Sequence, residues 1–257
     1  MVYLDPTLNI VTKTLRVIGK TLVREFNEIE TLQSSIKGTT GFADKTLTKI
    51  KKNLVSSLNE IKPNYKVIFY NSSFTHTTNE SGVWHLDPLN GYDNFSHGIP
   101  HFCITLAIIE KLKVISSAVY DPIKDEMFYA SLGKGSYIND TRIRVSSRSK
   151  IDECIMSIDL ENNDENISSL KQNLESQIQI TRKSGCTSLD MCYLACGRFD
   201  NFIKNKTEIS KLTAECLILK EAGAIVKPVK NLTNTIIASN TASYSSIEKI
   251  INKTWKI

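Results

Sequence analysis

One stretch of the sequence combines an acidic side chain with the backbone freedom that a phosphate or metal site needs. It covers residues 84–95 and reads WHLDPLNGYDNF. Asp87 follows an apolar run typical of a buried strand, and Gly91 can take a positive φ in a tight turn. Asn94 is then placed to cap a helix whose free N–H groups point at the turn. A carboxylate facing a helix N-terminus can hold a metal ion and a phosphate together, and an ordinary strand and turn is the competing interpretation.

This stretch resembles the first metal-binding motif of the inositol monophosphatase family. The motif continues into residues 97–102, and a second family motif is matched near the C-terminus by residues 210–215 and 221–224. The resemblance covers nearly the whole chain and extends to the bacterial SuhB branch of extragenic suppressor proteins. It implies an α/β fold of layered helices and sheets, the αβαβα sandwich of that family. It also implies Mg²⁺-assisted hydrolysis of a phosphate monoester, in which the ions activate water and stabilise the leaving oxygen.

By this resemblance, most of the acidic residues that hold Mg²⁺ in the family are replaced. Asp87 and the carbonyl of Leu89 remain as a remnant of the metal site, whereas Asn90 replaces the second Asp of the motif. Lys211 replaces the Asp of the second motif. A Glu expected near Tyr70 is absent, because residues 63–79 contain no acid.

Two further replacements affect the residues that handle water and substrate in the family. Tyr92 replaces a Thr that helps to orient the nucleophilic water, and Lys204 replaces a Glu that contacts a sugar hydroxyl. No catalytic residue can therefore be assigned, and the four remnant positions are Asp87, Asn90, Tyr92 and Lys211.

Charge decides whether such a pocket can hold magnesium. Losing a Glu, changing Asp to Asn and changing Asp to Lys make the pocket about four charge units more positive. A lysine ammonium about 4 Å from a dication costs about 8 kcal/mol at an effective dielectric of about 20. The sequence therefore predicts that Mg²⁺ does not bind in the family's manner and that no cofactor is needed.

The lysine in the second motif needs a partner, and Asp87 is the predicted one. An ion pair between Lys211 and Asp87 would then stand in for the metal ions. A local pairing of Lys211 with Glu208 or Glu215, one helical turn away on either side, is the alternative.

Other acids and histidines leave a rearranged metal site open. Asp93, Glu80 and Glu215 are close enough in sequence to the two motifs to replace lost ligands. His97 and His101 are four residues apart, but Pro100 between them opposes a regular helix there.

Three functions are consistent with these residues. In the first, the protein has lost its phosphatase activity and acts by binding a protein partner, with a link to transcription implied by the SuhB branch. In the second, it binds phosphate or another anion through the set Gly91, Tyr92, Asn94, Lys204 and Lys211. The alternative is an active Mg²⁺-dependent inositol-phosphate or sugar-phosphate phosphomonoesterase with a rearranged site. The resemblance also implies a homodimer.

The elements that must position these residues can be predicted from hydrophobic periodicity. Helices are predicted over residues 6–30, 44–60, 188–196 and 213–222, with a loop at 37–41, and strands over 65–70 and 199–203. Two subdomains, 1–148 and 149–257, each carry one motif remnant within one compact unit.

Composition limits the classes of protein that this chain can belong to. It has 257 residues, 41% of them hydrophobic, which suits one large core. A net charge of +5 is too small to indicate direct nucleic-acid binding. No apolar run approaches the roughly 20 residues that span a bilayer. The six cysteines form no C-x-x-C pair, so we expect free thiols and a cytoplasmic location.

Overall fold

The computed structural model describes residues 5–32, 36–70, 82–161, 165–230 and 232–254. The helices of this part of the chain are α1 (Pro6–Leu32), α2 (Ile36–Ile61), α3 (Tyr92–Ser96), α4 (Glu165–Gln177), α5 (Thr187–Ala195), α6 (Thr213–Glu221) and α7 (Tyr244–Thr254). Two short 3₁₀ turns cover Ile151–Glu153 and Ile209–Lys211.

The strands form two sheets, one in each half of the chain. The first sheet contains, in spatial order, β1 (Lys66–Phe69), β2 (Val83–Asn90), β3 (Cys103–Glu110), β4 (Lys113–Asp121), β5 (Glu126–Ser131), β6 (Gly135–Ile138) and β7 (Thr141–Ile143). The second contains, in spatial order, β11 (Ile225–Pro228), β12 (Ile236–Ser239), β10 (Asn201–Lys204), β8 (Ile155–Asp159) and β9 (Ile180–Arg182). Only β1–β2, β8–β9 and β8–β10 are parallel pairs.

Three hydrophobic clusters hold the layers together. The first joins α1 and α2 to one face of the first sheet, and the second places α5 and α6 between the two sheets. The third packs α4 and α7 on the outer face of the second sheet. The order of layers is therefore helix, sheet, helix, sheet, helix, and the predicted fold class is confirmed.

Helix α1 follows its sequence pattern closely. Asp5 caps the helix, because its Oδ1 accepts hydrogen bonds from the backbone N–H groups of Thr7 at 2.9 Å and Leu8 at 3.3 Å. Pro6 occupies the first helical position, where no N–H is needed. The apolar residues at helical spacing are all buried: Leu8, Val11, Leu15, Ile18, Leu22 and Phe26.

Helix α2 begins earlier than predicted, so the loop predicted at residues 37–41 is wrong. The chain is already helical at Ile36 and stays helical through both glycines of that segment. Thr39 and Ala43 are buried on this helix. Tertiary packing against α1 thus outweighs the low helix propensity of Gly38 and Gly41.

Strand β2 is longer than predicted and carries the site. It was expected to end near Leu86, but it continues through Asn90 with a register shift against β3 between Asp87 and Asn90. Pro88 is tolerated because the pairing of β2 with β1 stops at Leu86, so no ladder hydrogen bond is needed from its nitrogen.

Candidate functional site

The site is built where the end of β2 meets the beginning of α5. Asp87 and Asn90 are both half-buried here. The Nδ2 of Asn90 donates a hydrogen bond to Asp87 Oδ2 at 2.9 Å, and the N–H of Leu89 donates to Asp87 Oδ1 at 3.2 Å. Both oxygens of Asp87 therefore have protein donors.

The other end of the Asn90 amide is also used. Its Oδ1 accepts a hydrogen bond from the backbone N–H of Ser188 at 3.0 Å and lies 3.3 Å from the Cys186 thiol. Ser188 lies in the first turn of α5, whose N–H groups have no partner within the helix. The Asn90 side chain therefore forms a clip that joins the end of β2 to the beginning of α5. In the family motif, the side chain at this position would bind a metal ion.

Burial controls the protonation of Asp87. It raises the pKa of this carboxyl, and the hydrogen bonds from Asn90 and Leu89 oppose that rise. The positive charge of Lys51, on α2, also lowers the pKa of Asp87. The cation that acts on Asp87 is thus contributed by α2 and not by the second motif.

A second carboxyl, that of Glu215, lies close enough to Asp87 for the charge of Asp87 to affect its pKa. Glu215, on α6, is 3% exposed and accepts a hydrogen bond from the hydroxyl of Ser188. Burial raises the pKa of Glu215 to about 7, and the charge of Asp87 adds to that rise. Ser188 therefore binds both Asn90, through its N–H, and Glu215, through its hydroxyl.

Tyr70 lies at the same site, near the position where the resemblance requires a Glu. Burial raises the pKa of its phenol, and the charges of Glu215 and Asp87 raise it further. The backbone N–H of Tyr70 donates a hydrogen bond to the carbonyl of Leu86 at 2.8 Å. Tyr70 is therefore held against β2, the strand that carries the first motif. A phenol therefore lies near the point where the resemblance places the missing carboxylate.

The predicted ion pair between Lys211 and Asp87 is not formed. Lys211 ends a 3₁₀ turn, its side chain is exposed, and it has no ion pair within 4 Å among the described residues. The local alternative is wrong as well, because only its backbone N–H contacts Glu208, at the carbonyl, 3.0 Å away. Asn90 satisfies Asp87 with a neutral amide, in the place predicted for Lys211.

The predicted cap at Asn94 is also wrong. Helix α3 begins at Tyr92 after Gly91, which has a φ of 87°, and a Cβ there would lie 2.9 Å from the His101 carbonyl oxygen. Asn94 lies inside the helix and donates from Nδ2 to the carbonyls of His101 at 2.8 Å and Ser184 at 2.9 Å. It therefore ties α3 to the segment before α5.

Two of the five residues predicted to bind an anion already have partners within the chain. The hydroxyl of Tyr92 donates to Asp44 Oδ1 on α2 at 2.7 Å. Lys204 forms a salt bridge with Asp159, which also lies 3.5 Å from Lys183 Nζ. Lys204 is thus already neutralised by a carboxylate of its own sheet.

Of the acids considered as replacement ligands, Glu215 is the one in the described part of the chain that senses the charge of Asp87. Asp93 is exposed at the surface of α3, and Glu80 lies outside the described residues. His97 is exposed, whereas His101 Nε2 lies 4.0 Å from the buried Asp190. The described residues contain no group of three His, Cys, Asp or Glu side chains placed to hold a metal ion.

These residues do not fit the Mg²⁺ site that the fold implies. Magnesium needs oxygen ligands in near-octahedral geometry. The side chains of Asp87 and Asn90 are hydrogen-bonded to each other, so they offer few free lone pairs to a metal ion. The Asn90 amide uses its nitrogen on Asp87 and its oxygen on α5.

Sequence reasoning missed Ser188, Lys51 and the role of Tyr70. Ser188 was placed at a helix start, where a polar residue is ordinary, and its two partners are 98 and 27 residues away. Lys51 lies on α2, with its Nζ 5.4 Å from the centre of the Phe69 ring. Pairings across such separations have no local sequence signal.

Comparisons with known proteins extend these observations to the whole chain. A sequence profile of the inositol monophosphatase family matches residues 3–257. The putative Nus factor SuhB of Neisseria meningitidis serogroup B is 30% identical over 97% of this chain and 99% of the relative. The inositol-1-monophosphatase of Rhizobium meliloti is 29% identical over 84% of this chain and 83% of the relative.

Solved structures agree with the sequence matches. The crystal structure of the extragenic suppressor protein SuhB from Bartonella henselae superimposes with a TM-score of 0.84, at 25% identity, over 96% of this chain and 100% of that chain. None of the helices in the described part of the chain combines the length and apolar character that crossing a membrane requires. All six cysteines are free thiols.

Proposed function

The chain belongs to the inositol monophosphatase family, and from that membership we propose that it has lost Mg²⁺-dependent phosphatase activity and acts by binding a protein partner. The Asn90 clip carries this proposal. Its amide joins Asp87 to the N–H of Ser188, so the side chain that would hold metal is committed to the fold. A metal ion would have to break both hydrogen bonds before gaining a ligand that carries no charge.

A protein partner is favoured over a phosphate held by the predicted five residues, because Lys204 of that set is already paired with Asp159. A relative that carries the name Nus factor SuhB supports a binding role, with a link to transcription. The homodimer implied by the resemblance belongs to the same proposal, and sedimentation velocity of the purified chain measures it.

Glu215 is the one described residue that favours the alternative, an active enzyme with a rearranged site. It brings a carboxyl close enough to Asp87 for the two charges to interact. However, burial raises the pKa of this carboxyl to about 7, so a large fraction of it is protonated at neutral pH, and Ser188 occupies one of its oxygens. A protonated acid is a poor ligand for Mg²⁺, which binds carboxylates.

Phosphate release from inositol 1-phosphate tests the proposal. We expect the purified chain to release phosphate no faster with Mg²⁺ than with a chelator present, because the pocket lacks the charge to hold the ions. The matched control is Asp87→Asn, which removes the remaining metal-motif carboxylate and should behave like the unmodified chain. Release that requires Mg²⁺ and is lost in Asp87→Asn would establish the alternative function.

A further inference from the structure

A shallow groove lies along α6, beside the second motif and away from Asp87 and Asn90. Its volume is about 560 Å³. It is lined by residues of β4, the β5–β6 turn, the second 3₁₀ turn and α6: Lys113, Val114, Leu132, Ile209, Ser210, Thr213, Cys216, Leu217 and Lys220.

The floor of the groove is apolar. Thr213, Cys216, Leu217 and Lys220 are spaced i, i+3, i+4 and i+7, so they form one stripe along α6. Val114 and Ile209 are half-buried beside this stripe, and Leu132 is 42% exposed at its edge. The apolar side chains of this stripe are the half-buried Cys216 and the buried Leu217, and an apolar patch beside an exposed leucine is typical of a surface that another chain covers.

The rim of the groove is basic. Lys113 and Lys220 line it, and Lys111, Lys134 and Lys211 are exposed in the adjoining turns. In the parts of the chain that the structure describes, none of these five lysines has an ion-pair partner within 4 Å.

The nearby acids are already engaged. Glu221 accepts hydrogen bonds from the N–H groups of Gly133 and Gly135 at 2.7 and 2.8 Å. Glu110 is bonded to Lys62 and Tyr65, and Glu208 accepts a hydrogen bond from Ser210. In the described part of the chain, none of these acids forms an ion pair with a rim lysine, so the rim lysines can pair with negative charge from outside the chain.

We propose that this groove docks a short acidic segment of a partner protein, with apolar side chains of the segment on the α6 stripe and its carboxylates on the lysine rim. The nine residues of α6 extend about 13 Å, which matches two to three turns of a partner helix. Charge complementarity of this kind sets the orientation of a partner and accelerates its association. The inference deepens the proposed binding function by naming a surface and the chemistry of the partner.

A defined peptide tests this surface directly. The probe is a fluorescein-labelled helical peptide with leucines at i, i+3, i+4 and i+7 and glutamates on both sides of that stripe. A second peptide has lysine in place of every glutamate. We expect saturable binding of the acidic peptide, measured by fluorescence anisotropy, and no binding of the basic one. NMR shift changes should concentrate at Val114, Leu132 and Cys216.

Matched variants separate the groove from the general charge of the chain. The double substitution Lys113→Glu with Lys220→Glu should weaken the acidic peptide at least tenfold, because two attractive contacts become repulsive. Lys20→Glu with Lys249→Glu changes the net charge equally at exposed positions on α1 and α7 and should alter affinity less than twofold. Leu132→Glu should weaken binding, whereas Val17→Glu, which is also exposed, should not.

Several results would overturn the inference. One is the absence of saturable binding to the unmodified chain, and another is equal weakening by the two charge-reversal pairs. Binding of dodecanoate but not of the peptide would assign the groove to a fatty acid. If Leu132→Glu changes the sedimenting mass of the chain, the groove would be assigned to a second copy of this chain. Each of these outcomes leaves the phosphate-release result unchanged, so failure of the groove and failure of the proposed function are distinguishable.

Discussion

Replacing Asn90 by alanine is expected to lower the free energy of unfolding by about 3 kcal/mol. The substitution removes the Nδ2 donor that satisfies Asp87 and the Oδ1 acceptor that satisfies the N–H of Ser188. Ser188 is fully buried, so its N–H would be left without a partner away from water. A hydrogen bond to a charged group is also worth more than a neutral one.

Urea unfolding followed by circular dichroism measures this change, provided the slope with urea is the same in both proteins. The control is Asn59→Ala, at an exposed position near the end of α2, which should change stability by less than about 0.5 kcal/mol. A loss at Asn90 no larger than at Asn59 would show that the clip between β2 and α5 does not stabilise the fold.

Replacing Glu215 by glutamine is expected to stabilise the protein at pH 8 by about 3 kcal/mol more than it does at pH 4.5. Burial raises the pKa of Glu215 from its usual 4.5 to about 7. Glutamine keeps an oxygen that can accept the hydrogen bond from Ser188. It carries no charge, so its burial does not incur the cost of removing a charge from water.

The sign follows from which state ionises first. Below pH 4.5 the carboxyl is protonated in both states, and the pKa difference contributes nothing. Between pH 4.5 and 7 the unfolded chain loses the proton first, so stability falls as pH rises, and above about pH 7 the whole cost is present. Asp190, whose pKa burial raises to about 6, contributes equally to both proteins and cancels in the comparison.

Parallel urea titrations across this pH range provide the measurement. Glu28→Gln, at an exposed position on α1, is the control and should give a pH-independent difference. A flat difference for Glu215→Gln would mean that this carboxyl is ionised in the folded protein at little cost. Glu215 would then carry a negative charge in the folded protein and could help to hold a cation.

The layers of the fold could be predicted because their signals are local or come from the family motifs. The periodic apolar residues of α1 and the proline and aspartate at its start are visible in the sequence, and the structure confirms that helix. The beginning of α2 could not be predicted, because burial of Thr39 and Ala43 against another helix decides it. The strand β11 has no periodic signal of its own, and it forms by pairing with β12.

The candidate site shows a different limit. The replacements at Asn90 and Lys211 could be identified from the sequence, but the partners of those side chains could not. Charge alone suggested Lys211 as the partner of Asp87, whereas the nearest available donor is the neutral amide three residues along the strand. The partner on α5 is set by how the two halves of the chain pack, which a single sequence does not specify.

Isothermal titration calorimetry of the purified chain with Mg²⁺ tests the central claim, that a hydrogen-bonded amide has taken over the place of the metal ions. The account predicts no saturable heat of binding, and no difference between the unmodified chain and Asp87→Asn. A saturable binding isotherm that Asp87→Asn abolishes would contradict it.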